Sequence, residues 1–278
     1  MSTHIQDKVI IITGAGSGFG RLVSEKAASK GAKIVGADIN AETLGETEAL
    51  VKKAGGEMIS QVTDVSDLSQ MKALAAKAVE AFGRIDVMIN NAGIMPLAFF
   101  SDHDAAADAW HRCIDINIKG VLNGQIAVYD QMMAQGRGQV INLSSIYGNF
   151  PVTGAAVYGA SKTAVNFLSE SFRVECQGKI KVTIIKPTGV PMTNLNSAVI
   201  NPEAAVGIMG QNAATYTEVF ARMAEGKLSA EELDANNAGN IMLDPAYIAD
   251  AIMFAMDQPW GVSMGDITVR ATGDAYIL

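Results

Sequence analysis

The chain has 278 residues and a net charge of −8, with 49% hydrophobic and 18% charged residues. This composition supplies a large core and excludes an intrinsically disordered chain. No basic stripe appears, which excludes a nucleic-acid partner. No uncharged apolar run reaches the ~18 residues that a membrane span needs. The N-terminus has no signal-peptide pattern, so we expect no membrane association and a cytoplasmic location. The two cysteines, Cys113 and Cys176, suit neither a disulfide framework nor a metal site.

Strand-like and helix-like segments alternate through the first two-thirds of the chain. The predicted strands are residues 9–13, 33–38, 58–62, 85–89, 139–143 and 181–186. The predicted helices are residues 19–30, 41–54, 67–82, 105–134 and 156–177. The strands are almost continuously apolar, as in a parallel sheet with helices on both faces. Right-handed crossovers then predict a doubly wound, Rossmann-like α/β fold with three αβα layers.

The alternation stops after residue 187. Residues 188–244 are rich in Asn, Ala, Gly and Met and show no clear strand, and a helix over 245–256 and a strand over 266–270 close the chain. A structureless segment of this length is uncommon inside a compact domain. We therefore expect a substrate-binding lid at about 188–244 with helices of its own, within one domain that spans 1–278.

A glycine-rich turn follows the first strand and opens the first helix. Its pattern is TGxxxGxG, with glycines at Gly14, Gly18 and Gly20, rather than GxGxxG. Such a turn lets the backbone and the helix N-terminus approach a pyrophosphate, although a tight turn without a ligand would look alike. Its place between a strand and a helix favours a dinucleotide site.

Asp38 ends the second predicted strand. In this architecture an acid at that position accepts hydrogen bonds from the adenosine ribose hydroxyls. It would also repel a 2′-phosphate, and neither Ile39 nor Asn40 supplies a positive charge, so we expect NAD rather than NADP. The alternative is that Asp38 only caps the following helix.

Tyr158 and Lys162 lie four residues apart on a predicted helix, so both project from one face. Ser145 lies just beyond the end of the fifth predicted strand, where ligands bind in open α/β sheets. Ser144 is the alternative to Ser145, and the spacing to Tyr158 favours Ser145.

Together these features resemble the short-chain dehydrogenase/reductase family. The matching segments are TGAGSGFG at 13–20, Asp64-Val65, Asn90-Asn91-Ala92-Gly93, Asn117, Ser144-Ser145, Tyr158-Gly-Ala-Ser-Lys162 and Pro187-Thr-Gly-Val. They occur in the family's order over nearly the whole chain, and their combination is far more specific than any single motif.

The resemblance implies four catalytic residues. Tyr158 would act as the acid/base on the substrate oxygen, and Ser145 would orient that oxygen. Lys162, together with the positive nicotinamide ring, would favour the phenolate and would hold the nicotinamide ribose. Asn117 would bend its helix and hold a water, since its amide can serve a water and a backbone group together; alone, it could be a tolerated mid-helix polar residue.

The resemblance also implies the cofactor contacts. They are Gly14, Ser17, Gly18, Phe19, Asp38, Ile39, Asp64, Val65, Asn91, Ala92, Gly93, Tyr158, Lys162, Pro187, Gly189, Val190 and Thr193. Asp64 and Val65 would lie at the adenine. Thr188 interrupts the family's usual Pro-Gly pair, which weakens the expected contact of that turn with the nicotinamide amide.

The candidate substrate contacts are overwhelmingly apolar. They are Met95, Phe99, Phe100, Ile146, Tyr147, Phe150, Val152 and residues 191–200. No arginine or lysine is among them, so we expect a hydrophobic ketone or secondary alcohol, although several of these side chains could be ordinary core or subunit contacts. The sequence therefore predicts an NAD(H)-dependent alcohol dehydrogenase or ketoreductase, and family analogy alone predicts a homotetramer. The alternatives are a non-catalytic dinucleotide-binding regulator, which would typically lose the catalytic residues, and a sugar epimerase or dehydratase, which would have a different glycine spacing.

Overall fold

A parallel sheet of seven strands forms the centre of the computed structural model, which describes residues 4–190 and 193–276. The strands are β1 Val9–Thr13, β2 Lys33–Asp38, β3 Glu57–Val62, β4 Val87–Asn90, β5 Gly138–Leu143, β6 Ile180–Pro187 and β7 Asp266–Val269. They pair in the order β3-β2-β1-β4-β5-β6-β7. The order changes direction between β1 and β4, which is where open α/β sheets bind ligands.

Helices cover both faces of this sheet. They are α1 Gly18–Ser29, α2 Ala41–Lys53, α3 Leu68–Phe82, α4 His103–Cys113, α5 Gly120–Gln135, α6 Ala156–Glu175, α7 Val206–Met209, α8 Ala213–Ala224, α9 Ala230–Leu233 and α10 Pro245–Met256. Side chains of α1, α2 and α10 share one core cluster with Ile10 and Ile12 of β1. Side chains of α3 and α5 share a second cluster with Val9 and Ile11. Because successive strand residues point to opposite faces, a fully apolar strand serves both cores, and the predicted αβα fold is confirmed.

The helix predicted over 105–134 is present as one helical stretch from His103 to Gln135, and it changes from α to π geometry part-way along. Between α4 and α5 the chain forms a π-helical turn over Ile114–Lys119 that contains Asn117. Asn117 is fully buried and hydrogen-bonds the backbone of Ile94. A wider turn accommodates these side-chain bonds, and such turns are common at functional sites.

Short helices fill most of the segment over 188–244. Besides α7, α8 and α9, it contains 3-10 turns at Asn194–Ala198 and Pro202–Ala205. The helical content that the sequence led us to expect is therefore present, while Pro191 and Met192 lie outside the described residues. None of the helices in the described ranges is both long enough and apolar enough to cross a membrane.

Candidate active site

One cavity of about 660 Å³ lies at the carboxyl ends of the central strands. All seventeen residues that the family resemblance implied as cofactor contacts line this cavity, and so does Ser145. Asn117 is not among its lining residues, although it lies directly behind the wall, where a Cβ on Gly93 would come within 3.2 Å of its Oδ1. Among these predicted contacts, the fold brings together residues that lie up to 179 positions apart in the chain, from Gly14 to Thr193.

The glycine turn after β1 has the conformation that an anion site requires. Gly14 has a φ of +65°, and a Cβ there would approach the Asn91 side chain to 2.8 Å. A Cβ on Gly20 would come within 2.1 Å of the Gly14 carbonyl oxygen. Ser17 precedes α1, and its side chain makes no capping hydrogen bond. The first N–H groups of α1 are therefore free to bind an anion in the cavity.

Asn91 positions this turn. Its Nδ2 donates to the carbonyl oxygens of Thr13, at 2.8 Å, and Gly14, at 3.2 Å. The Thr13 hydroxyl in turn accepts from the backbone N–H groups of Asn91 and Ala92. These bonds join the ends of β1 and β4, so the Asn91 amide acts mainly as a support of the cavity wall.

Asp38 faces the cavity from the end of β2. Its Oδ2 accepts from the Gly16 N–H at 2.9 Å, and its Oδ1 accepts from the Asn40 N–H at 3.0 Å. The cap of α2 is Asn40, whose side chain accepts from the N–H groups of Glu42 and Thr43. The capping alternative for Asp38 is therefore wrong, and its carboxylate sits against the glycine turn.

The Asp64 and Val65 pair follows β3 and forms the neighbouring part of the cavity wall. Asp64 Oδ1 accepts from the backbone and the hydroxyl of Ser66. The Val65 carbonyl oxygen accepts from Asn123 on α5 at 2.9 Å. These bonds fix the loop beside Ile39, which is 68% exposed and also lines the cavity.

Ser145, Tyr158 and Lys162 converge at the inner end of the cavity. Tyr158 is 3% exposed and Lys162 is 5% exposed, one helical turn apart on α6. The Lys162 ammonium donates to the Leu143 carbonyl oxygen at 2.8 Å and lies 5.7 Å from the centre of the Tyr158 ring. The hydroxyl of Ser144 instead donates to the Lys162 carbonyl oxygen at 3.2 Å, which leaves Ser145 as the serine beside Tyr158.

Burial shifts the pKa values of Tyr158 and Lys162. Burial raises the pKa of the Tyr158 hydroxyl above its usual range, and a hydrogen bond with Ser145 lowers it by less. Burial also lowers the pKa of Lys162 to about 8. In the protein without cofactor, the pKa of Tyr158 is therefore raised. The family resemblance implies the opposite for the enzyme with bound cofactor, in which Lys162 and the nicotinamide ring favour the phenolate.

Asn117 connects the catalytic helix to the loop after β4. Its Oδ1 accepts from the Ile94 N–H at 2.9 Å, and its Nδ2 donates to the Ile94 carbonyl oxygen and to the Ser161 hydroxyl, both at 3.0 Å. The amide thus bonds both backbone groups of one residue. Ser161 precedes Lys162, so these bonds couple the π-helical turn to α6.

The substrate end of the cavity differs in part from the sequence expectation. Met95, Ile146, Tyr147, residues 193–197 and Val199 line it. Phe99, Val152, Ala198 and Ile200 are not among the lining residues, and neither are Phe100 and Phe150, which are 70% and 59% exposed. The Phe100 ring instead packs against Trp110, with 5.6 Å between ring centres, and hydrophobicity alone could not show where either ring lies.

Sequence reasoning missed several lining residues. They are Leu97, Arg112, Ile116, Ala205, Ile208, Met209, Phe220, Met223 and Tyr276. The candidate substrate contacts included no arginine or lysine, whereas the exposed Arg112 also lines the cavity. No spacing rule would have placed Tyr276, which the last residues of the chain bring back to the cavity.

Comparisons with known proteins agree with this arrangement. The family model described as short chain dehydrogenase matches residues 8–204. The chain belongs to the short-chain dehydrogenase family. It is 36% identical over 268 residues to an oxidoreductase of Listeria innocua serovar 6a, covering 96% of this chain and 98% of that protein.

Solved short-chain dehydrogenase structures share the fold. A member from Burkholderia phymatum, solved in complex with NAD, is 28% identical with a TM-score of 0.75, covering 95% of this chain and 89% of that one. Levodione reductase is 27% identical with a TM-score of 0.77, covering 96% of this chain and 97% of that one. The protein is therefore an oxidoreductase of the short-chain dehydrogenase family with a Rossmann-like fold.

Proposed function

We propose that this short-chain dehydrogenase interconverts a secondary alcohol and a ketone with NAD(H). The observation that carries the proposal is the convergence of Ser145, Tyr158 and Lys162 in a cavity that also contains the glycine turn and Asp38. A non-catalytic dinucleotide-binding regulator would need none of these three side chains. The fourth residue, Asn117, is intact and fully hydrogen-bonded behind them.

The residues at the outer end of the cavity fit a dinucleotide. The N-terminus of α1 and the positive-φ glycines, Gly14 and Gly18, suit a pyrophosphate. Asp38 places a negative charge at the end of β2, and its carboxylate has lone pairs beyond those used by Gly16 and Asn40 for ribose hydroxyls. The neighbouring Ile39 brings no positive charge for a 2′-phosphate, so this chemistry supports NAD.

Nicotinamide dinucleotide, when bound, supplies or takes up the hydride. The protein's own residues handle the proton. Ser145 donates a hydrogen bond to the substrate oxygen and holds it beside the Tyr158 hydroxyl. Tyr158 gives its proton to that oxygen during reduction and takes it back during oxidation. Lys162 holds its ammonium within 5.7 Å of the Tyr158 ring and thereby favours the phenolate form.

The walls of the inner cavity support an apolar substrate skeleton. Met95, Ile146, Ile208, Met209 and Phe220 are among the residues that line it. We propose a bulky, cyclic or aryl ketone as the substrate class. Arg112 lies at the cavity edge, and its exposure makes it a poor clamp for a buried anion.

The test is a panel of alcohols and ketones assayed in parallel with NAD(H) and NADP(H). We expect turnover of bulky apolar ketones such as cyclohexanone and acetophenone, with NADH preferred at least tenfold in kcat/KM. Strong preference for a sugar substrate would contradict the substrate class. Preference for NADPH would contradict the role of Asp38. Binding of NAD(H) without turnover of any substrate would support the non-catalytic regulator instead.

We further propose a homotetramer located in the cytoplasm. Leu122, Ile126 and Tyr129 of α5 are 37–41% exposed and form an apolar face that continues onto Phe172 of α6. Both cysteines are free and buried, as is usual in a reducing compartment. Light scattering should show four copies, and Ile126→Glu should give a smaller species; a monomer in the parent protein would contradict the assembly.

A further inference from the structure

Tyr147 presents a phenol to the substrate end of the cavity. Its side chain is only 9% exposed, and its ring packs edge-on against Tyr158 with 5.5 Å between ring centres. Among the described residues, its hydroxyl has no hydrogen-bond partner. Buried tyrosine hydroxyls usually have one, so this hydroxyl is available to a ligand.

Tyr276 presents a second phenol to the same cavity from the C-terminal end of the chain. Its ring stacks on Tyr216 with 5.2 Å between ring centres. Its hydroxyl lies beside the turn after β6, 3.2 Å from the position that a Cβ on Gly189 would take. Within the described ranges, this hydroxyl also has no hydrogen-bond partner.

A buried carboxylate holds Tyr276 in place. Asp274 Oδ1 accepts from the Tyr276 N–H at 2.8 Å, and Asp274 Oδ2 accepts from the Thr188 hydroxyl at 2.9 Å. Arg270 forms an ion pair with Oδ2 at 3.3 Å, and the Asp274 side chain is 1% exposed. The Tyr216 hydroxyl accepts from the backbone N–H of Ala275 at 2.9 Å. The phenol of Tyr276 is thus built into the site.

Tyr147 and Tyr158 belong to one hydrophobic cluster, and Tyr276 packs against that cluster. Burial raises the pKa of Tyr147, and the neighbouring Tyr276 and Tyr158 hydroxyls raise it further. Burial likewise raises the pKa of Tyr276. Both groups therefore stay neutral at physiological pH and can donate or accept a hydrogen bond. Apolar side chains, including Met209 and Phe220, line the same cavity.

We infer that Tyr147 and Tyr276 bind a second oxygen of the substrate, which is a ketone or secondary alcohol bearing a further hydroxyl or carbonyl group on an apolar skeleton. A pure hydrocarbon ketone would displace solvent from both phenols without offering either a hydrogen-bond partner, which costs free energy. A second oxygen would satisfy them. This inference rests on the proposed ketone and alcohol chemistry at Tyr158 and specifies its substrate class.

The experiment compares matched ring ketones with NADH. Cyclohexanone, its 2-, 3- and 4-methyl derivatives and its 2-, 3- and 4-hydroxy derivatives are assayed with the parent protein, Tyr147→Phe and Tyr276→Phe. The measured quantity is the ratio of kcat/KM for each hydroxy ketone to that of the methyl ketone of equal shape. We expect a ratio of about 10 or more for one regioisomer, as one or two hydrogen bonds provide.

Each phenylalanine variant keeps the ring and removes only the hydroxyl. We expect the ratio to fall about tenfold in either variant, while Tyr247→Phe, which alters a 45% exposed ring on α10, leaves it unchanged. Ratios near 1 for all regioisomers in the parent protein, or an unchanged ratio in both variants, would overturn the inference. Absence of turnover for every ketone with both cofactors would instead overturn the proposed function.

Discussion

Asp38 is the residue whose charge separates the two nicotinamide dinucleotides. Its carboxylate lies against the N-terminus of α1, close to the turn that suits a pyrophosphate. A carboxylate there accepts from ribose hydroxyls and repels a 2′-phosphate. Replacement by alanine removes both effects, so the preference for NAD should weaken or reverse.

We predict that Asp38→Ala weakens NADH binding about 10- to 100-fold, since each hydrogen bond to a charged group contributes about 1.5–3 kcal/mol. Binding of NADPH should become tighter. Fluorescence titration with both cofactors measures the two constants. Glu42→Gln removes a nearby exposed carboxylate at the start of α2 and should change neither. An unaltered preference in Asp38→Ala would show that another group selects the cofactor.

At the scale of single residues, the sequence identified most of the site because its motifs lie at fixed positions on the fold. Asp38, Ser145 and Tyr158 all follow or face the carboxyl ends of strands, and parallel strands bring those ends together. Tyr276 and Asp274 could not be found in this way. Their position depends on how the last residues pack against Tyr216 and Thr188, and no local pattern encodes that packing.

At the scale of elements, two helix-interior glycines should respond oppositely to the same substitution. Gly45 on α2 is exposed, and a Cβ there would meet no atom within 4 Å. Gly124 on α5 packs against β4, and a Cβ there would lie 1.9 Å from Asn90 Oδ1. Asn90 cannot move freely, because its Nδ2 donates to Asn142 Oδ1 at 2.8 Å.

We predict that Gly45→Ala raises the free energy of unfolding by about 0.5–1 kcal/mol, since alanine has the higher helix propensity. Gly124→Ala should lower it by about 1–3 kcal/mol, because overpacking displaces the helix from the sheet. Urea denaturation of both variants measures the difference. Changes of the same sign would mean that α5 does not approach β4 as closely as described.

The order of strands and helices followed from hydrophobic patterning, since short, mainly apolar runs bounded by turn residues differ from the longer amphipathic pattern of helices. The π-helical turn between α4 and α5 did not follow from this patterning, and the family resemblance indicated only that Asn117 bends its helix. In that turn Asn117 accepts from the N–H of Ile94, which lies 23 residues earlier. The bounds of the helices in the segment over 188–244 could not be predicted either, because these short helices pack over the cavity and have little periodicity of their own.

At the scale of the whole molecule, a buried lysine links stability to pH. Lys8 is 7% exposed, and its ammonium donates to the Met256 carbonyl oxygen and lies 4.9 Å from the centre of the Trp260 ring. Burial and the nearby Lys181 lower the pKa of Lys8 to about 8, from an ordinary value of 10.5. Between these values the unfolded chain binds more protons, so the free energy of unfolding rises with pH.

We predict that this rise is absent in Lys8→Met. The free energy of unfolding of the parent protein should increase relative to the variant by about 1–2 kcal/mol between pH 8 and pH 10, a figure reduced for water near the ammonium. Urea denaturation across this range measures the difference. Lys53→Met removes an exposed charge at the end of α2 and controls for net charge. A constant or shrinking difference would contradict the linkage.

The role of Tyr158 is the claim on which the functional account depends. The most direct test is Tyr158→Phe, assayed for ketone reduction with NADH and for NADH binding by fluorescence. Loss of the phenolic proton that hydrogen-bonds with Ser145 should lower kcat/KM about 1,000-fold or more, within the range of general acid catalysis, and leave the NADH dissociation constant within about threefold. A variant that keeps more than about a tenth of the parent activity would contradict the account.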